Sequence, residues 1–153
     1  MTNLKEGDKA PEFRAFNEKE QEVSLSDFVG KKVILYFYPK DMTPGCTAES
    51  CNLGENHTEL QSKGFVVLGV SPDSVKRHQK FIDKYDLPFS LIADEQKEVI
   101  RAYGVWGPKK FMGKEYDGVH RTTFVIAENG TIEKIFTKVK TKDHSNQILE
   151  SYE

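Results

Sequence analysis

The chain has 153 residues, 30% of them charged and 37% hydrophobic, with a net charge of −2. This length suits a single domain, residues 1–153, that buries a core without metal or disulfide staples, and the charge balance gives no reason to invoke nucleic acid or an acidic membrane surface. No apolar run approaches the roughly 18 residues of a membrane helix, and the polar start Met1–Asp8 lacks the apolar stretch of a signal peptide.

In chain order, Phe13, Phe16, Val23, Leu25 and Phe28 mark an N-terminal extension. Lys32–Tyr38 and Phe65–Val70 follow as nearly continuous apolar runs, expected of strands covered on both faces. The stretch between them, from Pro44-Gly45 to Gly64, is too long for a hairpin and predicts a crossover helix, hence a parallel βαβ unit. A second helix is expected with Ser71 as cap, Pro72 in its first position and Val75, His78, Phe81, Ile82 and Tyr85 at helical spacing. Phe89–Ile92 reads as a short strand and Glu95–Tyr103 as a further helix. Gly104–Gly118, rich in Gly, Lys and aromatics, reads as a long surface loop. Thr122–Ala127 and Thr131–Phe136 flank Glu128-Asn129-Gly130, a strong antiparallel hairpin signal. A short helix from about Asp143 ends the chain. The order predicts an α/β fold of thioredoxin-like type, a central mixed β-sheet flanked by helices and carrying the N-terminal extension.

The chemistry concentrates in Pro39–Cys51, directly after the first central strand, where open α/β sheets bind ligands. Thr43 is a good N-cap and Pro44 a good first helical residue. Cys46 then stands third in the helix, where backbone N–H groups lack partners and the dipole favours an anion such as a thiolate. A capping box carries Glu or Gln at that position. The Cys46 sulfur is therefore expected against the Thr43 hydroxyl and the first-turn amides.

Acidity alone is a weak catalyst. For a thiol brought from a pKa of about 8.5 to about 6, the thiolate fraction at pH 7 rises about 30-fold. With a Brønsted slope of about 0.45 the same shift costs roughly 13-fold in nucleophilicity, leaving about a twofold gain. Groups that stabilise charge on a leaving oxygen must supply the rest. Cys51, five residues on, lies about 8.6 Å from Cys46 between Cα atoms on an ideal helix. A disulfide needs less than about 7 Å. Either the pair never bonds or the first turns unwind when it does, and Gly54 weakens the same helix by about 1 kcal/mol relative to Ala.

These residues resemble the peroxiredoxins, in particular the bacterioferritin comigratory protein (PrxQ) class. Pro39, Thr43 and Cys46 fit the P-x-x-x-T-x-x-C motif, and the likeness continues through Tyr103–Gly107 and Arg121–Phe124. The resemblance implies a thiol-dependent peroxidase with no metal or organic cofactor. Cys46 would be its peroxidatic cysteine, oxidised to a sulfenic acid, and Cys51 the resolving cysteine that condenses with it. Thr43 and Arg121 would bind peroxide oxygens, Pro39 would shield the site from water, and Glu49 would orient Arg121. It also implies a hydroperoxide substrate and a thioredoxin-type reductant. A monomer is the expected assembly, with a weak homodimer as the alternative. Two cysteines without an export signal point to a reducing cytoplasm. Leu53-Gly54 departs from the class, where something like Phe-Arg is expected.

Two other readings stand beside this one. A dithiol oxidoreductase fits the fold but not the C-x₄-C spacing. A metal-binding module built on Cys46, Cys51 and His57 would need three ligands on diverging faces of one helix. His57, His78, His120 and His144 are scattered and read as surface or packing residues.

Overall fold

The computed structural model describes residues 2–153. Two strands, β1 (Arg14–Asn17) and β2 (Glu22–Ser24), precede a 3₁₀ turn at Leu25–Phe28 and the first central strand, β3 (Lys32–Phe37). Helices α1 (Pro44–Glu55) and α2 (His57–Ser62) cross to β4 (Phe65–Ser71), which pairs in parallel with β3, Lys32 opposite Phe65 and Phe37 opposite Val70. Next come α3 (Val75–Tyr85), β5 (Ser90–Ala93) and α4 (Glu98–Ala102). A hairpin of β6 (Trp106–Phe111) and β7 (Lys114–Val119) follows, then β8 (Thr122–Ile126), β9 (Ile132–Phe136) and α5 (His144–Glu150). Seven strands form one mixed sheet in the order β2-β1-β5-β4-β3-β8-β9.

Alternation along β3 divides the core. Val33, Leu35 and Phe37 face one way, toward Leu68, Val70, Phe124, Ile126, Tyr103 and the α4 residues Val99 and Ile100. Ile34, Tyr36 and Tyr38 face the other way, toward Cys46 and Leu53 of α1, Leu60, Phe81 and Ile148. Both faces are covered, which is why the strand reads as an unbroken apolar run. Cys46 thus belongs to the packed layer between α1 and the sheet.

Five details differ from the sequence reading. The N-terminal extension is not appended to the core: β1 pairs antiparallel with β5 and lengthens the sheet. The crossover helix is two helices, parted at Asn56. Ser71 is the last residue of β4, paired with Ala93, so α3 starts later, where the Ser74 hydroxyl accepts from the Arg77 amide. The helix after β5 is short because Lys97, at its start, takes a left-handed conformation (φ 61°). Gly104–Gly118 is mainly hairpin rather than loop, turning at Met112 (φ 51°) and Gly113 (φ 80°), the two positive φ values of a type I′ turn.

Candidate active site

Past the end of β3 the chain runs Tyr38-Pro39-Lys40-Asp41-Met42-Thr43 into α1. Thr43 is the N-cap in position, with extended backbone, but its side chain does not cap. Its hydroxyl donates instead to the Lys40 carbonyl at 2.8 Å. Among the described residues no hydrogen bond joins that hydroxyl to Cys46, so the capping-box analogy is not realised; the lone proton of the hydroxyl is engaged within the preceding turn. The first helical bond runs from the Thr47 amide to the Thr43 carbonyl at 2.9 Å. The amides of Gly45 and Cys46 therefore have no intrahelical acceptor.

The Cys46 sulfur is fully buried and lies 3.2 Å from Nη2 of Arg121. Arg121 sits between β7 and β8, just before Thr122, which pairs with Phe37 at the end of β3. Sheet register thus brings together two residues 75 positions apart. Close approach needs the absent side chain of Gly45: a Cβ there would stand 3.2 Å from Nη2. The other arm of the guanidinium, Nη1, donates to Glu49 Oε1 at 2.7 Å. Glu49 lies one turn after Cys46, so helix spacing presents sulfur and carboxylate to one planar cation.

Glu49 is wholly buried, and among the described residues its second oxygen, Oε2, has no hydrogen-bond partner. Nε2 of His144 lies 3.7 Å from it. The other ring nitrogen, Nδ1, lies 2.8 Å from the Gln147 Oε1, which can only accept. On that hydrogen-bond assignment Nδ1 carries the proton, and Nε2 accepts from the Thr123 hydroxyl at 2.8 Å. Burial pushes the Glu49 carboxyl up to about 7 against the opposing pull of Arg121. Burial likewise holds His144 down at about 4, with Arg121 adding to the effect. A neutral imidazole thus backs a carboxyl that holds its proton into the neutral range.

Cys51 lies on the same unbroken helix, half-buried, and both thiols are free. Burial, and then the Glu55 carboxylate, raise the Cys51 thiol above its ordinary value. Pro39 is half-buried, two residues past the end of β3. His57 is on α2 against the Phe89 ring, 5.9 Å between centroids. Cys46, Cys51 and His57 do not form a metal-ligand cluster among the described residues.

His78 and His144, read in the sequence as surface or packing residues, are both buried and hydrogen-bonded. Lys109 on β6 was not singled out. Its ammonium donates to the Val119 carbonyl at 2.9 Å, and burial, with the nearby Arg121 charge, lowers its pKa. Asp41 and Ile92 for His78, Thr123 for His144 and Val119 for Lys109 all come from other elements, so the local pattern does not announce these bonds.

The AhpC/TSA family model matches residues 6–135. A Haemophilus influenzae relative is 51% identical over 150 residues, covering 98% of this chain and 97% of its own length. Escherichia coli peroxiredoxin Bcp is 46% identical over 149 residues, covering 97% and 96%. The Xanthomonas campestris bacterioferritin comigratory protein superposes with a TM-score of 0.85 at 32% identity, over 91% of this chain and 88% of its own. A Cys→Ser variant of Xylella fastidiosa PrxQ gives 0.92 at 28%, over 99% and 97%. The thioredoxin-like fold, the buried cysteine at a helix start and these likenesses agree: the chain belongs to the AhpC/TSA family, as a thiol-dependent peroxidase of the bacterioferritin comigratory class of peroxiredoxins.

Proposed function

We infer that Cys46 is the peroxidatic and Cys51 the resolving cysteine, reducing hydrogen peroxide and organic hydroperoxides at the expense of a thioredoxin-type dithiol. The observation that carries this reading is the Arg121 guanidinium, which spans the Cys46 sulfur and the Glu49 carboxylate. A cation so placed stabilises a sulfur anion and negative charge on a peroxide oxygen beside it. The Cys46 thiolate attacks one oxygen of the peroxide bond. That bond breaks, the other oxygen departs as hydroxide or alkoxide and takes a proton, and the sulfur is left as sulfenic acid.

Thr43 and the free amides of Gly45 and Cys46 complete the peroxide site. With its proton on the Lys40 carbonyl, the Thr43 hydroxyl offers lone pairs and accepts from a peroxide O–H. Pro39 covers the site from the β3 side and brings no amide proton of its own. Glu49 fixes the guanidinium. The alkyl peroxide reduction activity of the Xanthomonas campestris protein supports organic hydroperoxides as substrates.

Resolution requires movement. The Cys51 thiolate must displace hydroxide from the sulfenic sulfur, giving a disulfide and water, and the intact helix holds the two apart. In the Xanthomonas campestris variants the two mutated cysteines are dozens of residues apart in sequence. Here the pair shares one helix, so the element that opens is α1 itself. A dithiol reductant then restores both thiols. Among the described residues no helix is long and apolar enough to cross a membrane.

Cys51→Ser tests the assignment. The variant should consume one equivalent of hydrogen peroxide and then stall when cycled with thioredoxin and its reductase. Undiminished cycling would remove Cys51 as the resolver.

A further inference from the structure

Behind the peroxide site lies a second buried network that the reaction as described leaves unused. Asp41 is its centre. The carboxylate accepts from the Tyr38 hydroxyl at Oδ1, 2.5 Å, and Oδ2 lies 2.6 Å from His78 Nδ1. The Asp41 amide donates to Asp73 Oδ2 at 2.8 Å, and its carbonyl accepts from Arg77 Nη2 at 2.9 Å. Every polar group of one loop residue, backbone and side chain, is therefore engaged. Arg77 also binds Asp73 through Nε at 2.9 Å, closing the ring of contacts. Asp41, Asp73 and His78 are all buried.

The ring of His78 is committed on both sides. Nε2 faces the Ile92 carbonyl at 3.0 Å, an acceptor only, so that nitrogen donates. Nδ1 faces a carboxylate oxygen, so one proton lies between His78 and Asp41 whichever atom carries it. Tyr38, neutral because burial raises its hydroxyl well above the ordinary value, supplies the remaining proton. The network is electrically balanced, Asp73 against Arg77 and Asp41 against His78.

Its position gives it a use. Asp41 sits midway between Pro39 and Thr43, and the next residue, Met42, is left-handed (φ 66°), a conformation an unbranched side chain does not choose freely. Anchors from Tyr38 just past β3, from α3 and from the loop after β4 thus hold this turn in place, and Thr43 and α1 start from it. We propose that Asp41 and His78 are positioning residues that fix the Pro39–Thr43 backbone for peroxide attack at Cys46 while playing no part in the later bond between Cys46 and Cys51. The inference rests on the peroxidase reading and adds the device that keeps its geometry. The attack needs atoms placed within a fraction of an ångström, whereas resolution proceeds from an opened helix.

The test separates the two steps in one experiment. Hydrogen peroxide is mixed with reduced protein in a stopped flow, and sulfenate and disulfide formation are followed in the parent, Asp41→Ala and Asp41→Asn. Asp41→Ala should slow attack by about 10-fold to 100-fold, the cost of misplacing reacting groups by about 1 Å, and leave disulfide formation as fast or faster. Asp41→Asn should recover the attack rate to within a few-fold, since its oxygen still accepts from Tyr38 and its amide donates to an imidazole whose other nitrogen serves Ile92. An unchanged attack rate in Asp41→Ala, or equal slowing of both steps, would overturn the proposal. Should Asp41→Ala not fold, Arg77→Met removes one anchor from a half-exposed position. It should slow attack severalfold, and no effect there would overturn the proposal equally. If the parent itself consumed no peroxide, the peroxidase reading would fail instead.

Discussion

At the scale of single residues, the site depends on one shared cation. Arg121 divides its two arms between Cys46 and Glu49, so the charge on Glu49 governs how much of the guanidinium's field reaches the sulfur. Glu49 and His144 make that charge sensitive to pH, with opposite signs. Burial raises Glu49 from 4.5 to about 7, so its contribution to stability is present below about pH 4.5 and lost as pH rises through about 7. Burial lowers His144 from 6.5 to about 4, so its contribution is present above about pH 6.5 and lost as pH falls through about 4. Glu49→Gln removes only the first slope. Urea midpoints at pH 5 and pH 8 should show the variant gaining stability relative to the parent at the higher pH. A difference that is flat, or that runs the other way, would show that Glu49 does not hold its proton into the neutral range. The helix start at Thr43-Pro44, with Cys46 in its first turn, was legible in the sequence because its spacing is local. Asp41 lies in the same segment, but its partners Asp73, Arg77 and His78 come from beyond β4, and nothing in the local pattern announces them.

At the scale of elements, α1 has two unequal halves. Its far half is bolted down. Asn52 Oδ1 accepts from the Ser145 amide at 2.7 Å, the Asn52 carbonyl accepts from the Ser145 hydroxyl at 3.1 Å, and Leu53 is fully buried. Its first turn lacks a side-chain cap. On the proposed roles of the two cysteines, opening for disulfide formation would start at Thr43–Thr47 and carry Cys46 toward Cys51 rather than the reverse. Gly54 was read in the sequence as a weak point in the helix, and the structure adds a reason for it. A Cβ there would stand 3.3 Å from Pro88 and 3.5 Å from Leu87. Pro88 is exposed and can give by a few tenths of an ångström. The helix propensity gained on Gly54→Ala, about 1 kcal/mol, then outweighs the contact. Because Gly54 lies in the anchored half, the urea midpoint should rise by the equivalent of up to about 1 kcal/mol while disulfide formation after a pulse of peroxide keeps its rate. A rate slowed about fivefold, the ratio about 1 kcal/mol sets, would show that the opening runs through Gly54.

Across the whole molecule, legibility followed burial. β3 and β4 were readable because both of their faces are covered, and the β8–β9 hairpin because Asn129-Gly130 marks its turn. The β6–β7 hairpin was not. It forms a separate two-stranded sheet whose residues lie mostly in contact with solvent, so no apolar alternation marks it, and its turn is Met-Gly rather than a favoured Asn-Gly. That hairpin nonetheless delivers Lys109 and leads directly to Arg121. The N-terminal extension was equally opaque, since strands as short as β1 and β2 show their role only when β5 is in place to pair with them. The seven-stranded sheet is what makes a site from the two ends of the chain's chemistry: α1 supplies sulfur and carboxylate, and the start of β8 supplies the cation. The most direct test of that account is mass spectrometry of Cys51→Ser after one equivalent of hydrogen peroxide. The account predicts a single added oxygen on the Cys46 peptide, trapped as sulfenic acid. Peroxide consumed with Cys46 unmodified, or the oxygen found on another residue, would contradict it.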